Sequence, residues 1–495
     1  MTTTGRRTCD ATTTAGTVRG FWRDGSAAFL GIPFAEPPVG ALRFAAPVAV
    51  APWQGVREAF EHGPTPQRVP LQEVTLIPEP SIPGESILNL DVFTPQPGGA
   101  ARLPVLVWIH GGGFVAGSPA SPWYDGAAFN RDGIVTVTLS YRLGFEGFGV
   151  IDDSPNNRGL LDMVLALQWV RDNIAAFGGD PQNVTIAGQS AGGGAVLTLL
   201  AVPRAATLFH RVISISGALA DVPLEKARDY TRRLAERGGV APTKEALATL
   251  DQDRILELQK QLDPPFGQPE DGAPQNPLES LAAFAGGPSL GPVVDGEVLP
   301  RPTPAALRDG AAAGKAVLLG STDHEFGMAT AALEQPLAAV PFAQVAGAFG
   351  LTPDVAAQYA AAHPGLGTAT LVGLLLGDRM IRSTVRTVAD LLAQQEAPTW
   401  VYRFSWASPT VGSACHCLDL PFFFDCLAAD RVDAIAGPQP PRSLAQDVHG
   451  AAVAFIAHGD PGWPRYTRGE RTGRMYAAAS RTIAGAYDEV AMLAG

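Results

Sequence analysis

The sequence predicts an α/β fold, with a central, mostly parallel sheet, helices on both faces and long loop insertions. Three observations predict it. Short apolar or β-branched runs bounded by turn residues recur along the chain, a helix-period segment stands between two of them, and 46% of residues are hydrophobic against 17% charged. Such runs suit strands buried on both faces, and strand-helix-strand alternation is what a parallel sheet requires, because each crossover returns over the sheet.

The runs are 103–109, 134–139, 184–187, 212–215, 316–319 and 399–404. Between the second and third, 159–177 spaces Leu160, Val164, Leu167, Val170 and Ile174 three or four residues apart, one apolar helix face, and Gly178-Gly179 supplies the stop. In an open sheet of this kind the ligand site lies beyond the carboxyl ends of the strands. Pro- and Gly-rich stretches at 64–84 and 263–292 read as loops over that site. No repeat and no linker is evident, so 15–495 is expected to be a single domain. The Thr- and Ala-rich residues 1–14 are expected to form a disordered tail.

A net charge of −12, from 36 Lys and Arg against 48 Asp and Glu, repels phosphate backbones and anionic headgroups, so nucleic acid is not an expected partner. No leader-like apolar region opens the chain, and no later stretch approaches the roughly 18 apolar residues of a membrane span. A cytoplasmic location is expected. Four cysteines are too few for a disulfide framework, and a bridge between Cys415 and Cys417 would be strained, so reduced thiols are expected. Cys415-His416-Cys417 has only Cys426 near as a fourth ligand, and no metal is assigned. The sequence leaves the oligomeric state open.

The pattern G-x-S-x-G occurs at Gly188-Gln189-Ser190-Ala191-Gly192 and at Gly287-Pro288-Ser289-Leu290-Gly291. A nucleophile elbow needs a strand entering and a helix leaving, so that a strained turn exposes the serine and the helix N-terminus faces the developing oxyanion. Run 184–187 enters Ser190 and 191–200 leaves as a helix, whereas Ser289 follows a Gly-rich loop and precedes Pro292. Ser190 is therefore the candidate nucleophile of an α/β-hydrolase fold, and the glycines beside it keep the turn uncrowded. Run 103–109 ends in His110-Gly111-Gly112-Gly113-Phe114, the type of loop that supplies oxyanion donors in lipases and esterases. Gly112, Gly113 and Ala191 are the candidate donors. A phosphate cradle would instead place Lys and Ser or Thr after the glycines, where Phe114-Val115 stand.

A serine hydroxyl needs a histidine base, and the base an acid to hold its tautomer, in the order Ser, acid, His on this fold. Of His210, His324, His363, His416, His449 and His458, only His416 lies in a loop after a late strand, 399–404. The acid should follow run 316–319, and both Asp323 and Glu325 satisfy that spacing.

These residues resemble the type-B carboxylesterase and lipase family, which includes bacterial para-nitrobenzyl esterases and the cholinesterases. The likeness spans nearly the whole chain, from Phe29-Leu30-Gly31-Ile32-Pro33-Phe34-Ala35-Glu36-Pro37-Pro38 through Tyr141-Arg142-Leu143-Gly144, 159–193 and Pro292-Val293-Val294-Asp295-Gly296 to Leu420-Pro421-Phe422. The resemblance implies a Ser190, Glu325, His416 triad that hydrolyses small-molecule esters without a cofactor. Four departures stand out: Gln189 replaces a usual glutamate, His324 a usual aspartate and Ile87 a disulfide cysteine, and no tryptophan lies in 64–90 where cholinesterases keep a cation-binding ring. Counting back without gaps from Pro292, the cholinesterase acyl-pocket positions fall on Gly286 and Pro288, which are small; a gap would bring in Phe284. Phe114, Gln189 and Phe422, next to the oxyanion loop, nucleophile and base, complete the candidate substrate-binding set. Amide or carbamate hydrolysis on the same machinery, and a catalytically inactive scaffold, are the alternatives.

Overall fold

The computed structural model describes residues 7–66, 77–263 and 286–493. Its strands are β1 (Thr8–Thr12), β2 (Thr17–Arg23), β3 (Ser26–Pro33), β4 (Val56–Glu58), β5 (Asn89–Thr94), β6 (Leu103–Ile109), β7 (Val135–Leu139) and β8 (Gly179–Gln189). They continue with β9 (Arg211–Ile215), β10 (Val222–Pro223), β11 (Val293–Val294), β12 (Ala316–Thr322), β13 (Thr399–Phe404), β14 (Gly473–Tyr476) and β15 (Arg481–Ile483). One open sheet runs β1-β2-β3-β5-β7-β6-β8-β9-β12-β13-β14-β15, with β4 added beside β2. From β7 to β14 every neighbouring pair is parallel, and the antiparallel pairs lie toward the two ends.

The parallel strands read as continuous apolar runs because each face has its own core. In β6, Val105, Val107 and Ile109 enter one buried cluster while Leu106 and Trp108 enter the other. β13 repeats this, with Val401 on the first side and Trp400, Tyr402 and Phe404 on the second. Alternating side chains on a pleated strand thus need helices on both faces. The helix Arg158–Asn173 covers the first face through Leu160, Val164, Leu167 and Val170, and Gly178 stops its continuation in a left-handed conformation at φ 83°. The helix Arg442–His458 covers the second through Leu444, Val448, Ala452 and Phe455.

All six sequence-read strands are present, β8 being longer than the run 184–187. The expected disordered tail is corrected in part: Thr8–Thr12 is a strand paired with β2 from Thr8↔Phe21 to Thr12↔Thr17. Its mostly exposed TCDAT lacks the apolar alternation that marks a half-buried strand, and backbone pairing on an edge does the holding. A second unread feature lies between β12 and β13, where short helices from Gly327–Leu333 to Thr368–Gly377 form a lobe with its own core, including Phe326, Leu333, Phe349, Tyr359 and Leu375, while the later helix Ser383–Gln394 packs on the sheet through Val385, Val388 and Leu392. A π-helical turn, Asp378–Arg382, carries the lobe back onto the sheet. All four cysteines are free thiols. No helix among the described residues is long and apolar enough to cross a membrane.

Candidate active site

The central strands deliver their loops to one end of the sheet. β8 ends at Gln189, a helix begins at Ala191, and Ser190 between them holds φ 57° and ψ −124°. An L residue rarely adopts such a backbone unless its surroundings over-determine it. Here Ser190 N donates to Ile215 O at 2.9 Å, and Gly194 N donates to Ser190 O at 2.8 Å. A Cβ on Gly188 would stand 2.5 Å from the Gly192 carbonyl carbon, and one on Gly192 would stand 2.1 Å from Ile109 O. The flanking glycines are thus steric requirements of the turn. Ser289 has no such setting; its hydroxyl donates to Asp263 Oδ1 at 3.1 Å.

β6 leads into the glycine loop, where Gly112 and Gly113 have φ 110° and 62°. Gly112 O accepts from Ala116 N at 2.8 Å, and a Cβ on Gly112 would stand 2.2 Å from Ala116 O, so the turn closes only around glycine. Ala191 opens the helix after Ser190, among the N-H groups without an intrahelical acceptor.

β12 and β13 bring the loops of Glu325 and His416 together. His416 N donates to Glu325 O at 3.2 Å, and His416 Nδ1 donates to Glu325 Oε2 in a short contact. Glu325 Oε1 accepts from Ser216 Oγ at 2.6 Å and from Thr322 N at 2.8 Å. Both side chains are buried. Burial by itself pushes the His416 pKa down, while the Cys417 side chain and the Glu325 carboxylate push it up and prevail, leaving it well above the usual value. Asp323 is turned elsewhere. Its Oδ1 accepts from Arg403 Nε at 3.0 Å and lies 3.7 Å from Arg382, and these two cations hold it below the usual carboxylate range against the opposing effect of burial. The spacing could not separate Asp323 from Glu325; the geometry pairs only Glu325 with the imidazole.

Gln189 Nε2 lies 3.0 Å from His416 Nε2, joining the residue before Ser190 to the imidazole. Asp419, three residues beyond His416, accepts from Tyr402 OH at 3.0 Å, and burial together with the Glu325 charge raises its pKa to about 7. His449 is committed elsewhere, to Phe423 O and Asp132 Oδ2. Ser216 and Gly377 escaped the sequence reading. Ser216 sits just past β9 at φ 47°, and a Cβ on Gly377, ahead of the π-helical turn, would stand 2.8 Å from Glu325 Cβ. No motif marks either.

The substrate-binding candidates divide. Phe422 is fully buried, its ring 5.3 Å from those of Phe404 and Trp406, and Phe114 packs on Phe148 at 5.1 Å. Gly286 and Pro288 lie on a loop held by Lys226 Nζ, which donates to Pro288 O at 3.2 Å, and Phe284 lies outside the described residues.

The sequence profile of the carboxylesterase family matches residues 8–345. The para-nitrobenzyl esterase of Bacillus subtilis (strain 168) is 33% identical over 483 residues, covering 92% of each chain. The phenmedipham hydrolase of Pseudarthrobacter oxydans is 34% identical over 475 residues, covering 91% of this chain and 90% of its own. Among solved structures, the carboxylesterase EST55 of Geobacillus stearothermophilus at pH 6.2 superposes with a TM-score of 0.85 at 32% identity, covering 98% of this chain and 100% of its own. With strained serine, glycine loop and buried His-Glu pair at one end of such a sheet, the chain belongs to the carboxylesterase family, ester-hydrolysing enzymes of the α/β-hydrolase fold.

Proposed function

We propose that this carboxylesterase cleaves small carboxylic esters through an acyl-enzyme on Ser190. His416 takes the Ser190 proton as Oγ attacks the carbonyl carbon, and Glu325 stabilises the resulting imidazolium. The N-H groups of Gly112, Gly113 and Ala191 hold the oxyanion; losing one such donor typically costs about 3 kcal/mol. His416 returns the proton to the departing alkoxide, and a water activated by the same imidazole then releases the acid. The observation that carries this reading is the buried His416–Glu325 bond, joined through Gln189 to a serine held in an elbow conformation. An organophosphonate should label Ser190 and spare Ser289, and Ser190→Ala should lower kcat on the order of 10⁴-fold or more. Labelling of Ser289 in folded, active protein would overturn it.

Carbamates form a second substrate class, favoured by the likeness to a phenmedipham hydrolase. On this machinery His416 protonates the poorer leaving group, so carbamate rates should depend steeply on leaving-group pKa and vanish in Ser190→Ala. With Gly286 and Pro288 small, acyl groups larger than acetyl should be accepted; a steep loss from acetyl to butyryl or benzoyl esters would contradict this.

A further inference from the structure

A neutral imidazole that gives its Nδ1–H to Glu325 has a single lone pair, at Nε2. That lone pair must receive the Ser190 proton. In the structure it is Gln189 that reaches it, amide nitrogen to ring nitrogen at 3.0 Å, with both side chains buried. The absence of a side chain at Gly111 leaves room beside the amide, since a Cβ there would stand 3.1 Å from Gln189 Oε1.

We propose that Gln189 is a positioning residue for the base: its amide caps His416 Nε2 in the resting enzyme and is displaced when Ser190 hands over its proton. This rests on the assignment of Ser190 and His416 above. One lone pair accepts one good hydrogen bond, so the amide N–H and the Ser190 O–H occupy it in turn. A half-turn of the amide presents Oε1 to Nε2–H of the imidazolium, so Gln189 bonds to either protonation state. A carboxylate at this position bonds only to the protonated one. The titratable groups facing the imidazole are Glu325 from the β12 loop and Cys417 and Asp419 from its own loop, and the Phe326 ring covers it at 5.2 Å between centroids. A side-chain contact at Nε2 comes from Gln189 at the end of β8.

Two variants of similar bulk test this. Gln189→Glu should move the acid limb of kcat/KM up by about 1–2 pH units, the effect of an opposite charge in contact with the imidazolium, so that below both limbs it is about 10- to 100-fold slower than wild type. Gln189→Met removes the cap without adding charge; its limb should stay within about half a unit, and its rate of phosphonylation at Ser190 on the pH plateau should rise several-fold. A merely space-filling glutamine would leave the phosphonylation rate of Gln189→Met at the wild-type value, and that result, in a variant whose Tm is unchanged, overturns the proposal. Failure of the organophosphonate to label Ser190 in wild type would instead overturn the nucleophile assignment, and this proposal with it.

Discussion

Glu325→Gln isolates the acid because the substitution is isosteric and every partner of Glu325 is a donor. Oε2 accepts from His416 Nδ1; Oε1 accepts from Ser216 Oγ and Thr322 N. A glutamine offers one acceptor and one donor, so one of these sides must meet an N–H. If the amide nitrogen faces Thr322, a buried backbone N–H loses its partner, at a cost of about 1–3 kcal/mol. If it faces His416, the ring shifts its proton from Nδ1 to Nε2 and no group is orphaned. The second arrangement is favoured, by about 5- to 150-fold at 1.4 kcal/mol per factor of ten, and in it Nε2 carries a hydrogen and cannot accept one from Ser190. Losing the charge that steadies the imidazolium adds to this, and the total should be on the order of 10⁴ in kcat, the scale known for a wrong-tautomer histidine. Turnover of a chromogenic short-chain ester, normalised by active-site titration, measures it. A kcat within tenfold of wild type at unchanged Tm would refute the assignment of Glu325. Asp323→Asn is the control: it weakens the Arg403 and Arg382 pairing, so Tm should fall while kcat per active site stays within a few-fold.

The remaining expectations concern the groups behind the imidazole. Ser216→Ala removes one of two bonds to Glu325 Oε1 and should lower kcat roughly tenfold with little change in KM, a hydrogen bond to a charged group contributing about 1.5–3 kcal/mol; unchanged kcat would show that Thr322 N suffices. Because the His416 pKa is raised, the acid limb of kcat/KM should lie above about 6.5. The stability its imidazolium contributes is complete below about pH 6.5 and lost as pH rises through the folded pKa, so Tm should fall across the window in which activity appears; parallel pH profiles of Tm and rate check this. Asp419 has the opposite linkage to an ordinary paired carboxylate. With a folded pKa of about 7 against an unfolded value near 3.9, its ionisation costs the fold up to about 4 kcal/mol above pH 7, so Asp419→Asn should raise Tm at pH 8 and leave it nearly unchanged at pH 4.

What the sequence revealed follows from which forces write themselves locally. Central strands buried on both faces leave unbroken apolar runs, and a turn too tight for any Cβ leaves glycines around Ser190. His416 could be chosen because it follows a late strand. Asp323 and Glu325 could not be separated by spacing, because a two-residue difference in a turn decides which carboxylate meets the ring and which meets Arg403. Ser216 and Gly377 were illegible for a related reason. Each acts on Glu325 from a sequence-distant element, and neither a hydroxyl after β9 nor a glycine ahead of a π-helical turn has a local signature. The edge strand Thr8–Thr12 owes its place to backbone pairing, which side-chain patterning does not record.

The order of strands in the sheet also has a kinetic consequence. Gln189 and His416 touch at a sequence separation of 227, and the chain between them must pass through the helical lobe to return to the sheet. Contacts this distant in sequence close late, since the chain must first meet the entropy of bringing far segments together. After dilution from denaturant, helical ellipticity should recover ahead of esterase activity. Catalytic competence in this molecule is then a reporter of completed topology, sensitive to partly assembled states that a secondary-structure signal would count as refolded.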